Sequence, residues 1–445
     1  MFSENYKEHF SKTLTLALPV CFGQLGHMLV SVADAAFVGQ IGSNEQAAVS
    51  LANSLYVLVL VFALGISMGV TPLVAEAHSQ NDLNKNSGLL KNSLALNVLI
   101  GLLLFLLLSF SSPLLYHFDQ SPKVVQLAIP FLNVMIFSMI PLAFYSSFKQ
   151  FAEGLSFTRA AMVISLSSNL LNILLNYLLV FGHWGFPAMG MMGSCWASFI
   201  SRVVMAITMF FFIFLQRDFK PYWKKFKEVK LSFDLSGKIL AVGVPSGLQW
   251  VFEIGAFSFA VIMIGWIGPE YQAAHLIALS LAAITYMFAS GLSAAVAVRV
   301  GHYLGLKDRE ELRRAGFSAF IMVLCFMFCS AIMFLVFRTY LPRFFTIDEN
   351  VLSIASSLLI IAAFFQLWDG LQVVALGALR GLKDTTWPTI ITIIAYWIVG
   401  LPVCYLLAFK LNMGVTGVWW GLSFGLFTAA ALLFGRFNYV SKRKI

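Results

Sequence analysis

Three carboxylates lie where a carboxylate is costly. Asp34, Glu253 and Asp369 each fall inside a long apolar run, and a charge near the bilayer centre costs about 2.5–3.5 kcal/mol on insertion scales. Three side chains kept at that cost are expected to face a wet cavity or a bound cation; pairing with Arg202, or reaching out to the interface, is the structural alternative. Glu253 and Asp369 have polar company. Gln249 and Trp250 stand one turn before Glu253 and on its face, while Gln366 and Gln372 flank Asp369 at i−3 and i+3. Carboxylates beside amide oxygens suit a hard cation such as Na+, so a Na+ site at Glu253 and Asp369 is one reading. The same carboxylates could instead carry H+, and the residues leave both ions open. Tyr286 adds an aromatic face.

The N-terminal half offers a second cluster. Asn169, Asn172 and Asn176 follow an i, i+3, i+7 spacing that puts three amides on one helical face. Amides are costly in lipid unless satisfied, so this stripe is expected to point inward towards Asp34, with Ser198 a weaker member. Polar glue between helices is the alternative. His27 reads either as a proton carrier near neutral pH or as a satisfied core histidine. Gln24, His27, Gln249, Trp250, Gln366 and Trp368 are candidates to line a substrate cavity, where aromatic walls beside carboxylates favour flat organic cations. There is no P-loop, GxSxG, HExxH or clustered His/Cys set in the chain. No enzymatic activity and no cofactor are expected, and transport would draw on an ion gradient.

These groups need a frame that holds them in a membrane. Of 445 residues, 60% are hydrophobic and 11% charged, against roughly 25% charged in soluble proteins. So few charges cannot cover a water-facing surface of this size. Runs near 20 apolar residues read as spanning helices. Twelve are expected, at about 14–38, 47–75, 93–112, 126–151, 161–182, 188–215, 239–265, 273–301, 314–337, 352–378, 387–409 and 415–436. Residues 1–12 are polar, and the apolar run after them is too long for a cleaved signal. With an inside N-terminus, 23 of the 29 Lys and Arg fall on inner segments and only Lys123, Arg338, Arg343 and Lys410 on outer ones, Arg202 and Arg299 lying within helices. That imbalance places both termini in the cytoplasm. Loop 216–238 carries seven cations interleaved with aromatics; it reads as a surface on anionic lipid headgroups, not as a nucleic-acid site. The five cysteines have no metal or disulfide spacing and are expected to pack.

The chain repeats itself. Shifted by 226 residues, Ile41–Asp82 overlays Ile267–Asp308 without a gap and with 15 of 42 positions identical. Pro19 falls on Pro245, Gly65 on Gly291 and Asp82 on Asp308. Six spans per half make these parallel repeats, read as an N-terminal lobe (1–216), a cytoplasmic linker (217–238) and a C-terminal lobe (239–445). The charges do not repeat: Asp34 falls on Ala260, and Glu253 on His27.

Several of these residues also carry a family resemblance. The motif VADAAFVG around Asp34, the Ile41-Gly42…Gln46-Ala47-Ala48 block and its copy, Asn172 and Asn176, EGLS at 153–156, QWVFE ending at Glu253, QLWDG around Asp369 and RGLKD at 380–384 resemble the MATE family of multidrug and toxic compound extrusion transporters, most closely its NorM-like branch. The resemblance covers essentially the whole chain. It implies an all-α membrane protein with a V-shaped pair of six-helix lobes, acting as a monomer in a bacterial inner membrane. It also implies export of cationic amphiphilic compounds, and so drug resistance, by alternating access and antiport with Na+ or H+. Glu253, Asp369 and Tyr286 match the C-lobe cation site of that branch, and Asp34, Asn172, Asn176 and Ser198 its N-lobe cluster. A lipid-linked oligosaccharide flippase shares this architecture, but its cavity should be basic; the candidates here are acidic.

Overall fold

The computed structural model describes residues 4–117 and 121–443; Lys444, counted above among the inner cations, lies outside them. Among the described residues there are twelve helices long and apolar enough to cross a membrane and no strand. They are α1 (Tyr6–Gly39), α2 (Ser43–Ser79), α3 (Leu83–Phe110), α4 (Pro122–Gly154), α5 (Thr158–Phe181), α6 (Met191–Leu215), α7 (Phe233–Gly265), α8 (Pro269–Leu306), α9 (Arg309–Phe337), α10 (Glu349–Gly381), α11 (Thr386–Lys410) and α12 (Gly414–Ser441). Helices are the expected answer to a solvent that cannot satisfy backbone N–H and C=O groups. The expected twelve spans are all present, and most run beyond their apolar cores. Helix α1 continues through polar residues the sequence reading left outside it, because His9 and Thr13 are covered by protein. A short amphipathic linker helix, Lys220–Glu228, precedes α7.

The chain forms two compact units, Phe22–Gly247 and Met1–Cys21 with Leu248–Ile445. Helices α1 and α7 each pass from one unit to the other along their length.

Within each unit the repeat is visible atom by atom. Gly42 and Gly268 precede α2 and α8 with nearly the same backbone angles (φ 169° and 157°, ψ 161° and 160°). Asp82 accepts from the Lys85 backbone N–H at 2.9 Å and Asp308 from that of Glu311 at 3.0 Å, each an N-cap that satisfies a free first-turn donor. The close helix crossings repeat too. A Cβ at Gly154 would lie 2.8 Å from Val74 Cβ and 2.9 Å from Thr71 O; one at Gly381 would lie 2.8 Å from Val300 Cβ and Ala297 O. Likewise Gly65 packs on Gly247 of α7, with only 2.7 Å from an added Cβ to the Gly247 nitrogen, and Gly291 packs on α1, 2.9 Å from Ala17 O. Small residues at such crossings let helix backbones approach where lipid supplies no hydrophobic drive. Gly154→Ala and Gly381→Ala should therefore each cost about 1–3 kcal/mol by overpacking. A fall in the melting temperature of the detergent-solubilised protein would register it, and an unchanged melt for both would show that the crossings have slack.

The cysteine expectation needs a correction. Cys21, Cys195 and Cys404 are buried, but Cys325 and Cys329 lie exposed on α9, since an apolar run in a membrane helix has a lipid face as well as a packed one.

Candidate functional site

Each unit holds two apolar cores with a polar layer between them. In the unit containing α8–α12, one core takes α10 as far as Phe365 and the other resumes at Val373. The interval carries Gln366, Asp369 and Gln372, all buried. The same break falls between Leu281 and Ala289 on α8, where Thr285 and Tyr286 sit, and between Met327 and Ala331 on α9, where Ser330 sits. One helix alone shows three polar residues; the fold makes them a layer.

Glu253 is buried and both of its oxygens are engaged. Oε2 accepts from Gln249 Nε2 and Oε1 from Gln372 Nε2, each at 3.2 Å. Gln372 is aimed by Tyr396, whose hydroxyl donates to Gln372 Oε1 at 2.8 Å. Gln366 Oε1 accepts from Thr285 at 3.0 Å and Ser330 at 3.1 Å, and its buried Nε2 has no partner. Asp369 is 6% exposed, yet neither a hydrogen bond nor an ion pair reaches its carboxylate among the described residues. It lies close enough to Glu253 for the two charges to interact, and Tyr286 feels both. Two acids thus share a layer of amides and hydroxyls with no basic side chain bonded to either. Such an array offers acceptor oxygens to a small cation and also accommodates a proton on either carboxyl. Trp250 is partly exposed, and Trp368 packs on the apolar core and meets the Phe427 ring edge-on at 4.8 Å.

In the other unit Asp34 is half-buried, and its Oδ1 accepts from Asn176 Nδ2 at 2.8 Å. The same nitrogen reaches Asn172 O and Oδ1, both at 3.0 Å. Asn172 Nδ2 in turn approaches Ser198 Oγ at 3.3 Å and Ser201 Oγ at 3.4 Å. Ser198 therefore joins Asp34 through two asparagines, and Ser201 is a member that the sequence reading missed. Asn176 Oδ1 and Asn169 Nδ2 are buried without partners. His27 Nε2 lies 3.0 Å from Ser165 Oγ, further along α5, and Gln24 is partly exposed one turn before it.

Arg202, the alternative partner weighed for the buried acids, does not take that part. It forms no ion pair with an acid among the described residues; Nη1 donates to the hydroxyls of Tyr56 and Ser138, and the guanidinium lies 5.5 Å from the Tyr56 ring centroid. Neutral acceptors and a π face hold this charge, and its influence on Asp34 is exerted across space without an ion pair. Arg380, read as a loop cation, is buried at the C-terminal end of α10 with its Nε unpaired. Tyr396 was also missed. It lies in a π-helical stretch, Ile394–Gly400, a distortion that often marks working positions and that no apolar pattern announces.

Three comparisons bear on identity. The MatE family model matches residues 19–178 and 245–406, two segments that start on the repeat partners Pro19 and Pro245. A probable multidrug resistance protein NorM from Agrobacterium fabrum is 32% identical over 448 residues, covering 100% of this chain and 96% of its own. Its counterpart from Pseudomonas putida is 33% identical over 436 residues, with coverage of 97% and 94%. Among solved structures, an outward-facing multidrug resistance MATE family transporter of the MOP superfamily superposes with a TM-score of 0.91 at 19% identity, over 98% of this chain and 96% of its own. A eukaryotic MATE transporter gives 0.87 at 20% identity, over 99% and 100%. These two likenesses speak to fold alone.

Proposed function

The chain belongs to the MatE family of multi-pass membrane transporters, and from that premise we propose that it is a secondary multidrug efflux transporter, exporting cationic amphiphilic compounds in exchange for Na+ or H+. We place it in the inner membrane of a bacterium, with both termini cytoplasmic, working as a monomer and without a cofactor. The observation that carries this reading is the pair Glu253 and Asp369, both buried in one layer of amides and hydroxyls, with no basic partner among the described residues. Full-length relatives named for multidrug resistance support the substrate class.

In this reading an organic cation and the inward-moving ion compete for one negative field. Exchange then requires only that each binds one conformation better than the other. The ion occupies Glu253 and Asp369 in the form that releases drug to the outside; its departure inward restores the charge that recaptures drug. Asp34, held by Asn176, takes the corresponding part in the first unit, with Asn176 Oδ1 the spare oxygen. The direct test is efflux of a fluorescent cationic dye from vesicles with Na+ and pH gradients imposed separately. Efflux under one gradient and not the other names the ion; efflux under neither rejects exchange.

The hydroxyl of Tyr396 should matter even though it need not touch an ion. Without it Gln372 loses the bond that aims its Nε2 at Glu253, an interaction of about 0.5–1.5 kcal/mol. Tyr396→Phe is expected to raise the ion concentration for half-maximal efflux by up to about tenfold with the maximal rate kept. Titrating the driving ion at fixed dye measures it, and an unshifted midpoint removes Tyr396 from the site.

A further inference from the structure

One groove belongs neither to the polar layers nor to the helix crossings. In the Phe22–Gly247 unit, about 740 Å³ of space lies between α4, α6 and the linker helix Lys220–Glu228. Phe144 and Phe148 of α4, Ile207 and Phe211 of α6, and Trp223 and Phe226 of the linker helix line it. From Pro141 to Phe148, and from Val203 to Phe211, the walls extend for about 10–12 Å along two helices. Phe144 (40%), Ile207 (50%) and Phe211 (51%) remain open to whatever fills the space. The inner end is built rather than loose. Trp223 Nε1 donates to Ile213 O at 3.0 Å, and its ring packs on Phe226 at 5.0 Å and Phe210 at 5.9 Å. Lys91 Nζ donates to Phe226 O at 3.2 Å and Val229 O at 2.7 Å, fixing the end of the linker helix.

The linker 216–238 carries seven cations against three acids, Asp218, Glu228 and Asp234. Lys225 pairs with Glu228 at 2.6 Å, but Lys220, Lys224, Lys227 and Lys230 are exposed, and none has an acidic partner among the described residues. An apolar groove walled at one end by a helix segment that also carries exposed lysines suits an acyl chain bearing an anionic headgroup. We propose that this groove is a site for an anionic phospholipid, one chain lying between α4 and α6 and the phosphate meeting the linker lysines. Bulk lipid would wet any apolar surface; the exposed lysines of the linker select by headgroup charge. This site stands apart from the exchange reading and holds whichever ion drives transport.

Native mass spectrometry of the purified full chain tests it with two probes, palmitoyl-oleoyl phosphatidylglycerol and the phosphatidylcholine with the same chains. Wild type should retain one phosphatidylglycerol under conditions that strip phosphatidylcholine. Changing Lys220, Lys224, Lys227 and Lys230 together to Gln should cut that retention by at least about tenfold. Ile207→Trp, which fills the groove from an exposed position, should abolish it; Ile207→Asn needs no extra room and repeats the test if the larger residue disturbs folding. Equal retention of the two lipids by wild type overturns the proposal. So does unchanged phosphatidylglycerol retention in the Ile207 variants, which would place the lipid on the lysines without the groove.

Discussion

Asp369→Asn is expected to abolish gradient-driven dye efflux, by about a hundredfold or more, in a protein that still inserts and elutes as wild type does. The two halves of that expectation rest on one fact. The Asp369 carboxylate is buried and takes neither a hydrogen bond nor an ion pair among the described residues, so an isosteric amide removes charge without breaking a contact. Glu253→Gln should stop efflux equally but is less silent structurally. Both Glu253 oxygens accept from glutamine amides, and the new amide presents one donor to a donor. A modest fall in melting temperature is therefore expected at residue 253 and none at 369. The comparison separates ion chemistry from folding, since a stability effect would track the lost bonds and an ion effect would not. Vesicle efflux with each gradient, beside melting curves of the two variants, makes the measurement. Wild-type efflux from both would leave the proposed exchange without its acidic centre.

The three acids, the asparagine stripe and the twelve spans were legible because a bilayer makes polarity costly, so each exception to an apolar run stands out. The repeat was legible for a different reason: helix crossings as tight as those at Gly154 and Gly381 admit no side chain. What stayed hidden is what only packing decides. Hydropathy cannot tell a polar residue in water from one covered by protein, so His9, among the polar residues 1–12, and Thr13 read as lying outside the first span although both are buried in α1. It cannot assign a partner to a charge, so Arg202 was weighed as a partner for the buried acids and instead meets two hydroxyls and a ring. Nor can it find Tyr396, an aromatic residue in an aromatic-rich span, whose hydroxyl reaches Gln372 from a π-helical segment.

Arg299 supplies the second large effect, and the repeat supplies its logic. Arg299 is 5% exposed in α8. Nη1 donates to His9 O at 2.8 Å and Thr13 Oγ1 at 2.6 Å, and Nη2 lies 2.6 Å from His9 Nδ1. His9 Nε2 lies 2.8 Å from Glu311 Oε2, so the imidazole links a buried guanidinium to a carboxylate and ties the start of α1 to α8 and α9. In the other unit, the positions 226 residues away from Arg299, His9 and Thr13 are Leu73, Leu235 and Ile239, which join one apolar cluster. The same junction is thus built twice, once from leucine and isoleucine and once from a charge network. His9→Leu alone leaves Arg299 its bonds to the His9 carbonyl and Thr13 but removes the imidazole that Nη2 meets and the link to Glu311, and should destabilise the protein by about 1–3 kcal/mol, the usual cost of a buried donor left unsatisfied. Adding Arg299→Leu and Thr13→Ile recreates the apolar version, and replacement of a buried charge network by packed hydrophobes is often neutral. The triple variant is therefore expected to melt well above the single one, with Glu311 left at its partly exposed position. Melting temperatures in detergent for wild type, single and triple give the answer. A triple variant less stable than His9→Leu would mean that the two junctions, though related by the repeat, do not share a packing solution.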